Sequence, residues 1–141
     1  MDNIPLQNET NYFRRVFGAA ILLSPCVLLA LSLNNSFAHN PQIHKNYELS
    51  TGYVFLIFAL LVALFNFYLS FVRYLLAKDK VNYRFTSGIP ILGAILTVIG
   101  CSFAFGDMRS ISLGVLALSL DTGGTLWFLI STWKDSSFWN M

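Results

Sequence analysis

The stretch Ile111–Trp133 reads ISLGVLALSLDTGGTLWFLISTW. It is long and apolar enough to cross a bilayer, which takes about 20 mostly apolar residues in a helix. Its middle holds Asp121, Thr122, Gly123 and Gly124. A carboxylate at that depth costs roughly 2.5–3.5 kcal/mol to insert and is seldom kept without a partner, a water-filled cavity or a task. The two glycines after it permit close backbone approach or a local break in the helix. The rest of the chain reads as a small membrane bundle built around this acid.

Composition supports that reading. Of the 141 residues 55% are hydrophobic, 16% aromatic and 11% charged, whereas a soluble domain is about 25% charged. Mean hydropathy is +0.60. The net charge of +2 is spread out, and no basic cluster of the kind that binds nucleic acid is present. Cys26 and Cys101 lie in apolar runs without metal spacing, and they read as small buried hydrophobes.

The expected fold is an all-α membrane protein, a four-transmembrane-helix bundle in one domain over residues 1–141, with spans at about 16–33, 52–72, 89–105 and 111–133. A polar tail precedes Tyr12, Phe13, Arg14 and Arg15, an aromatic and basic interface anchor. Pro25 in the first span should kink it or free a carbonyl. Arg14-Arg15, the apolar run and Ser36-Phe37-Ala38 also fit a cleavable signal peptide ending near residue 38. The length of the run favours a retained span. Pro90 is expected in the first turn of the third helix. Trp133 and Trp139 read as interface anchors, and Trp127 as packing on the glycine gap.

Four spans put both termini on one side. That side carries Arg14, Arg15, Arg73, Lys78, Lys80, Arg84 and Lys134, against Lys45 and Arg109 on the other. Basic residues accumulate on cytoplasmic loops. The termini and loop 73–88 are therefore expected in the cytoplasm, and loop 34–51 outside.

Membrane helices associate through small residues and polar side chains that bond across. The second span has Ala59, Ala63, Asn66 and Ser70; the third has Gly93, Thr97, Cys101 and Ala104; the fourth has Gly114, Ala117, Asp121 and Gly124. Spacings of three and four place each set on one helix face. If these faces converge, Asp121, Asn66, Thr97 and Ser24 form a central polar cluster, with Gly93, Gly114, Gly123 and Gly124 as packing positions. The cluster has a structural reading, as polar glue with Asp121 hydrogen-bonded to Asn66 or Thr97. It also has a functional one, in which Asp121 binds a proton or ion.

Asp121-Thr122-Gly123 matches the triplet of aspartic proteases, whose chemistry needs two carboxylates sharing a proton. No second such triplet occurs, and Asp107 falls in a turn, so no catalytic residue is assigned and no enzyme is expected. His39, His44 and Glu48 follow no standard metal spacing, so no metal or cofactor is expected either. Arg73 to Arg84 can touch anionic lipid headgroups.

The stretches Ser87-Gly88-Ile89-Pro90-Ile91-Leu92-Gly93 and Ser119-Leu120-Asp121-Thr122-Gly123-Gly124-Thr125-Leu126-Trp127-Phe128 resemble a group of uncharacterised small four-span bacterial inner-membrane proteins. Those carry a G-I-P-x-L-G third span and a D-x-G-G-x-x-W fourth span. The resemblance covers the C-terminal half and implies a bacterial inner-membrane location. It is also associated with immunity proteins against membrane-active or periplasmic toxins. The expected partners are membrane lipid and another protein (a toxin or a membrane-complex subunit), with self-association as a further option. A proton- or ion-coupled transporter or channel subunit using Asp121, and an accessory subunit of a larger complex, are the alternatives.

Overall fold

A computed structural model of the chain describes residues 12–38, 46–77, 88–135 and Trp139. Among these residues the structure is helical and contains no strand. Helix α1 is Tyr12–Phe37. Helix α2 is Asn46–Phe67, which continues through one π-helical turn, Tyr68–Val72, into a last turn, Arg73–Leu76. Helix α3 is Leu92–Phe103, α4 is Met108–Leu120 and α5 is Thr125–Thr132.

Three stretches are long and apolar enough to cross a membrane: Tyr12–Phe37, Asn46–Leu76 and Met108–Thr132, the last being α4 and α5 together. Phe58, Leu61 and Ile130 are exposed, as lipid-facing residues are and as the surface of a soluble domain seldom is. These features describe a multi-pass helical membrane protein.

The expected spans need correction at several points. α1 and α2 both run past their expected ends, so part of 34–51, expected to be an outward loop, is helical. The third span is only 12 residues of helix, about 18 Å at 1.5 Å per residue, too short to cross alone. Pro90 lies before α3, in a turn whose next residue, Ile91, has φ of 68°. The fourth span is interrupted at Asp121–Gly124.

Pro25 lacks the N–H that would bond the Ile21 carbonyl. The Ser24 hydroxyl supplies the missing donor at 2.7 Å, and the helix continues. α1 buries only Pro25, Leu29 and Ser32, a narrow stripe at spacings of four and three. α2 buries a longer one: Gly52, Leu56, Ala59, Ala63 and Asn66. Small residues let α2 and α3 approach to backbone contact. A Cβ on Gly52 would lie 2.9 Å from the Gly100 carbonyl oxygen, and a Cβ on Gly100 equally near that of Gly52. Leu29, Leu56, Ala94, Cys101, Ile111 and Leu118 form the apolar core beside this crossing.

Trp139 does not sit as an interface anchor. It is 3% exposed, its indole N–H donates to the Thr132 carbonyl at 2.8 Å, and its ring covers Gly18 of α1. Trp133, which meets it edge-on, is exposed.

Candidate functional site

Two interruptions of the helical backbone meet on one side chain of α2. The first is the non-helical segment Gly88–Ile91 that leads into α3. The second is Asp121–Gly124, between α4 and α5. Non-helical backbone at membrane depth is tolerated only where its N–H and C=O groups find partners inside the protein or line a cavity. Here Asn66 is the partner. Its Oδ1 accepts the Ile89 N–H at 2.9 Å, and its Nδ2 donates to the Ile89 carbonyl at 3.1 Å. The same Nδ2 donates to Asp121 Oδ1 at 2.6 Å. One carboxamide thus ties both interruptions to the middle helix.

The interruptions also bond each other directly. The Ile91 N–H donates to the Gly123 carbonyl at 3.2 Å. Ile91 is β-branched and left-handed, a costly conformation. It is held by that bond and by its own carbonyl, which accepts the Ile95 N–H at 3.0 Å. A third contact comes from the π turn of α2, where the Ser70 and Thr122 hydroxyls lie 2.8 Å apart. A π turn adds a residue to the helical repeat and re-aims the side chains that follow. Trp127 closes the outer side, donating its indole N–H to the Ser119 carbonyl at 3.3 Å, with its ring edge-on to Phe71.

Asp121 is 1% exposed. Its Oδ1 is bound by Asn66, but its Oδ2 has no hydrogen-bond partner. That oxygen rests on Gly93 and Gly124, and a Cβ at either position would collide with it. Asp121 is the C-cap residue of α4, its backbone N–H donating to the Ala117 carbonyl; the free carbonyls there carry partial negative charge, while the N-terminus of α5 that follows carries partial positive charge.

Of the expected cluster, Asp121 and Asn66 are brought together. Thr97 is buried nearby, but its hydroxyl donates to the Gly93 carbonyl of its own helix at 2.8 Å and not to Asp121. Ser24 is not part of the cluster: it is exposed and spent on the Ile21 carbonyl left free by Pro25. Gly93, Gly123 and Gly124 line the acid and its amide partner, while Gly114 packs against Leu29 and Cys101. Sequence reasoning missed the Ile89 clamp and the π turn. Pro90 and the run Ser87-Gly88 were the available signal for the first. Cys101 is buried and Cys26 half-buried, both as free thiols. His39 and His44 lie outside the described residues.

A second polar knot sits at the other end of α4. Asp107 is its N-cap. Its Oδ2 accepts from the Ser110 N–H at 2.8 Å, the Ser110 hydroxyl at 2.9 Å and the Tyr53 hydroxyl at 2.9 Å. Burial alone would push this carboxyl up; the three donors and the nearby Arg109 charge outweigh it and hold it below the ordinary carboxylate value. Next to it, the Gly106 N–H donates to Ser32 of α1 at 2.7 Å.

Searches of protein-family profiles, curated proteins and solved structures find no match to this chain.

Proposed function

We propose that this is a bacterial inner-membrane protein that acts by binding another protein and performs no catalysis, with four spans, the third being the short helix α3 extended by the non-helical segment 88–91, and so with both termini cytoplasmic. Its most concrete form is an immunity protein against a toxin acting in or at that membrane. One observation carries the reading: Asn66 spends both ends of its amide inside the bundle, on Ile89 and Asp121. The central polar cluster is thereby committed to holding a shape. A protein whose polar centre is structural works through its surface, and here α1 offers an apolar face with only three buried residues.

The test is survival. Cells producing a toxin encoded beside this gene should live only when the protein is present, and Asp121→Asn should still protect. Death regardless of the protein sinks the reading. The orientation has its own test: Asn40→Cys should react with an impermeant thiol reagent from the periplasmic side, and labelling only after lysis would reverse it.

The unpartnered Oδ2 of Asp121 favours a second reading, a proton- or ion-coupled transporter or channel subunit. Flux in proteoliposomes that Asp121→Asn abolishes would establish it. Stoichiometric co-purification with other membrane subunits would instead mark an accessory subunit, and a stable homo-oligomer in detergent would show self-association.

A further inference from the structure

The end of the bundle where α1 begins and α5 finishes holds a cation without an anion. Arg15 is half-buried in the first turn of α1. Its Nε is shielded and has no hydrogen-bond partner, and no ion pair with a described residue offsets its charge. Arg14 next to it and Asp135 after α5 are already engaged. A guanidinium stays ionised at any ordinary pH and presents five donors in a planar fork. Shielding one from water without an acceptor is costly.

The fold sets the depth of this charge. Thr125, which opens α5, shares one crevice with Ile21 and Pro25 of α1. At the other end of α5, Thr132 accepts from Trp139, whose ring covers Gly18. α5 therefore runs against α1, and its last turn comes level with the first turns of α1. Arg15 precedes Gly18 by three residues and so lies on the face that Trp139 covers. Tyr12, Phe13 and Trp133 are exposed at this level. Exposed aromatic residues at the ends of membrane helices mark the layer of the lipid headgroups. Lys134, also exposed, adds a second positive charge there. The anion present in that layer is the phosphate of a phospholipid, whose oxygens match the guanidinium fork. Two cations favour a headgroup of net negative charge.

We propose that Arg15 binds the phosphate of an anionic phospholipid, with Lys134 beside it, at the junction of α1 and the end of α5. The assignment needs only the membrane location and neither reading of function above.

The full-length protein, delipidated in detergent, is titrated with short-chain phosphatidylglycerol, with phosphatidylcholine of the same chains, and with inorganic phosphate. Bound ligand is counted by native mass spectrometry. Phosphatidylglycerol should bind about 10-fold more tightly than phosphatidylcholine, the least that one hydrogen bond to a charged group supplies. Arg15→Gln should erase that preference, and Arg15→Lys, which keeps the charge, should retain most of it. Lys78→Gln, which removes one positive charge elsewhere in the sequence, should leave it unchanged. Equal binding of the two lipids, a preference that survives Arg15→Gln, or an equal loss in Lys78→Gln would each overturn the proposal. Inorganic phosphate binding as tightly as phosphatidylglycerol would assign a soluble anion and overturn it too. Thermal unfolding without lipid checks that the variants fold, and Arg15→Ala repeats the test if the glutamine variant does not.

Discussion

Helix α4 has an aspartate at each end, and the two are treated in opposite ways. Asp107 begins the helix, where free N–H groups favour a negative charge, and one of its oxygens collects three donors. Asp121 ends it, where free carbonyls disfavour a negative charge; the Asn66 amide donates to its Oδ1, the Gly123 backbone N–H lies beside the carboxyl, and Oδ2 makes no hydrogen bond. The same side chain is a conventional cap at one end and a tie between two broken helices at the other. Residue type alone does not assign the role; position along the helix dipole and the partner on α2, Tyr53 or Asn66, assigns it.

That contrast can be broken by mutation, and the largest effect is expected at Asn66. Asn66→Ala leaves the Ile89 N–H, the Ile89 carbonyl and Asp121 Oδ1 without their donor or acceptor. At about 1 kcal/mol or more for each buried group left unsatisfied, the loss is on the order of 3 kcal/mol. Thermal unfolding in detergent measures it. A variant as stable as the parent would show that the two interruptions do not depend on this amide.

Asp121 and Gly93 come next. Asp121→Leu removes the acceptor for Asn66 and crowds two glycines, and should destabilise by about 1–3 kcal/mol. Asp121→Asn keeps an oxygen facing Asn66 and should unfold close to the parent. Gly93→Ala drives a methyl group into Oδ2 and should cost about 1–3 kcal/mol, as overpacking does. If the Leu and Asn variants both unfold like the parent, Asp121 is not structural glue and the transport reading gains.

The smallest effect belongs to the Asp107 knot. Tyr53→Phe removes one of three donors and should cost about 1 kcal/mol. Its pH dependence separates the two aspartates further. The folded state holds the Asp107 carboxyl below its unfolded value, which lies near 3.9. The stability it contributes is therefore complete above that unfolded value and is lost as pH falls through the lower, folded one. Melting curves on the acid side should show this loss in the parent and lack it in Asp107→Asn. An identical acid profile in the two would remove Asp107 as its source.

The stripes of small and polar residues were legible from spacing alone. Gly93, Thr97 and Cys101 of α3 are all buried, as are Gly114 and Ala117 of α4, because helical periodicity survives wherever the helix does. It fails where the helix stops. Hydropathy carries no mark of the left-handed Ile91, since an isoleucine there is as apolar as one inside a helix. The π turn at Tyr68–Val72, an apolar run broken by Ser70, has no sequence signature of its own. Ser24 and Thr97 were misassigned for one reason: a hydroxyl in a helix can satisfy itself on a carbonyl three or four residues back, and spacing does not distinguish that from reaching across.

The ring of Trp139 under Gly18 joins nearly opposite ends of the sequence. α1 makes few other inward contacts, its buried residues being Pro25, Leu29 and Ser32. Chains begin to organise from the N-terminus during synthesis, so α1 enters the membrane long before the residue that covers Gly18 has been made. Its final seating is therefore a late event in biogenesis. In the interval the first helix is a loosely held guest of the bilayer, open to whatever chaperone or neighbour reaches it first.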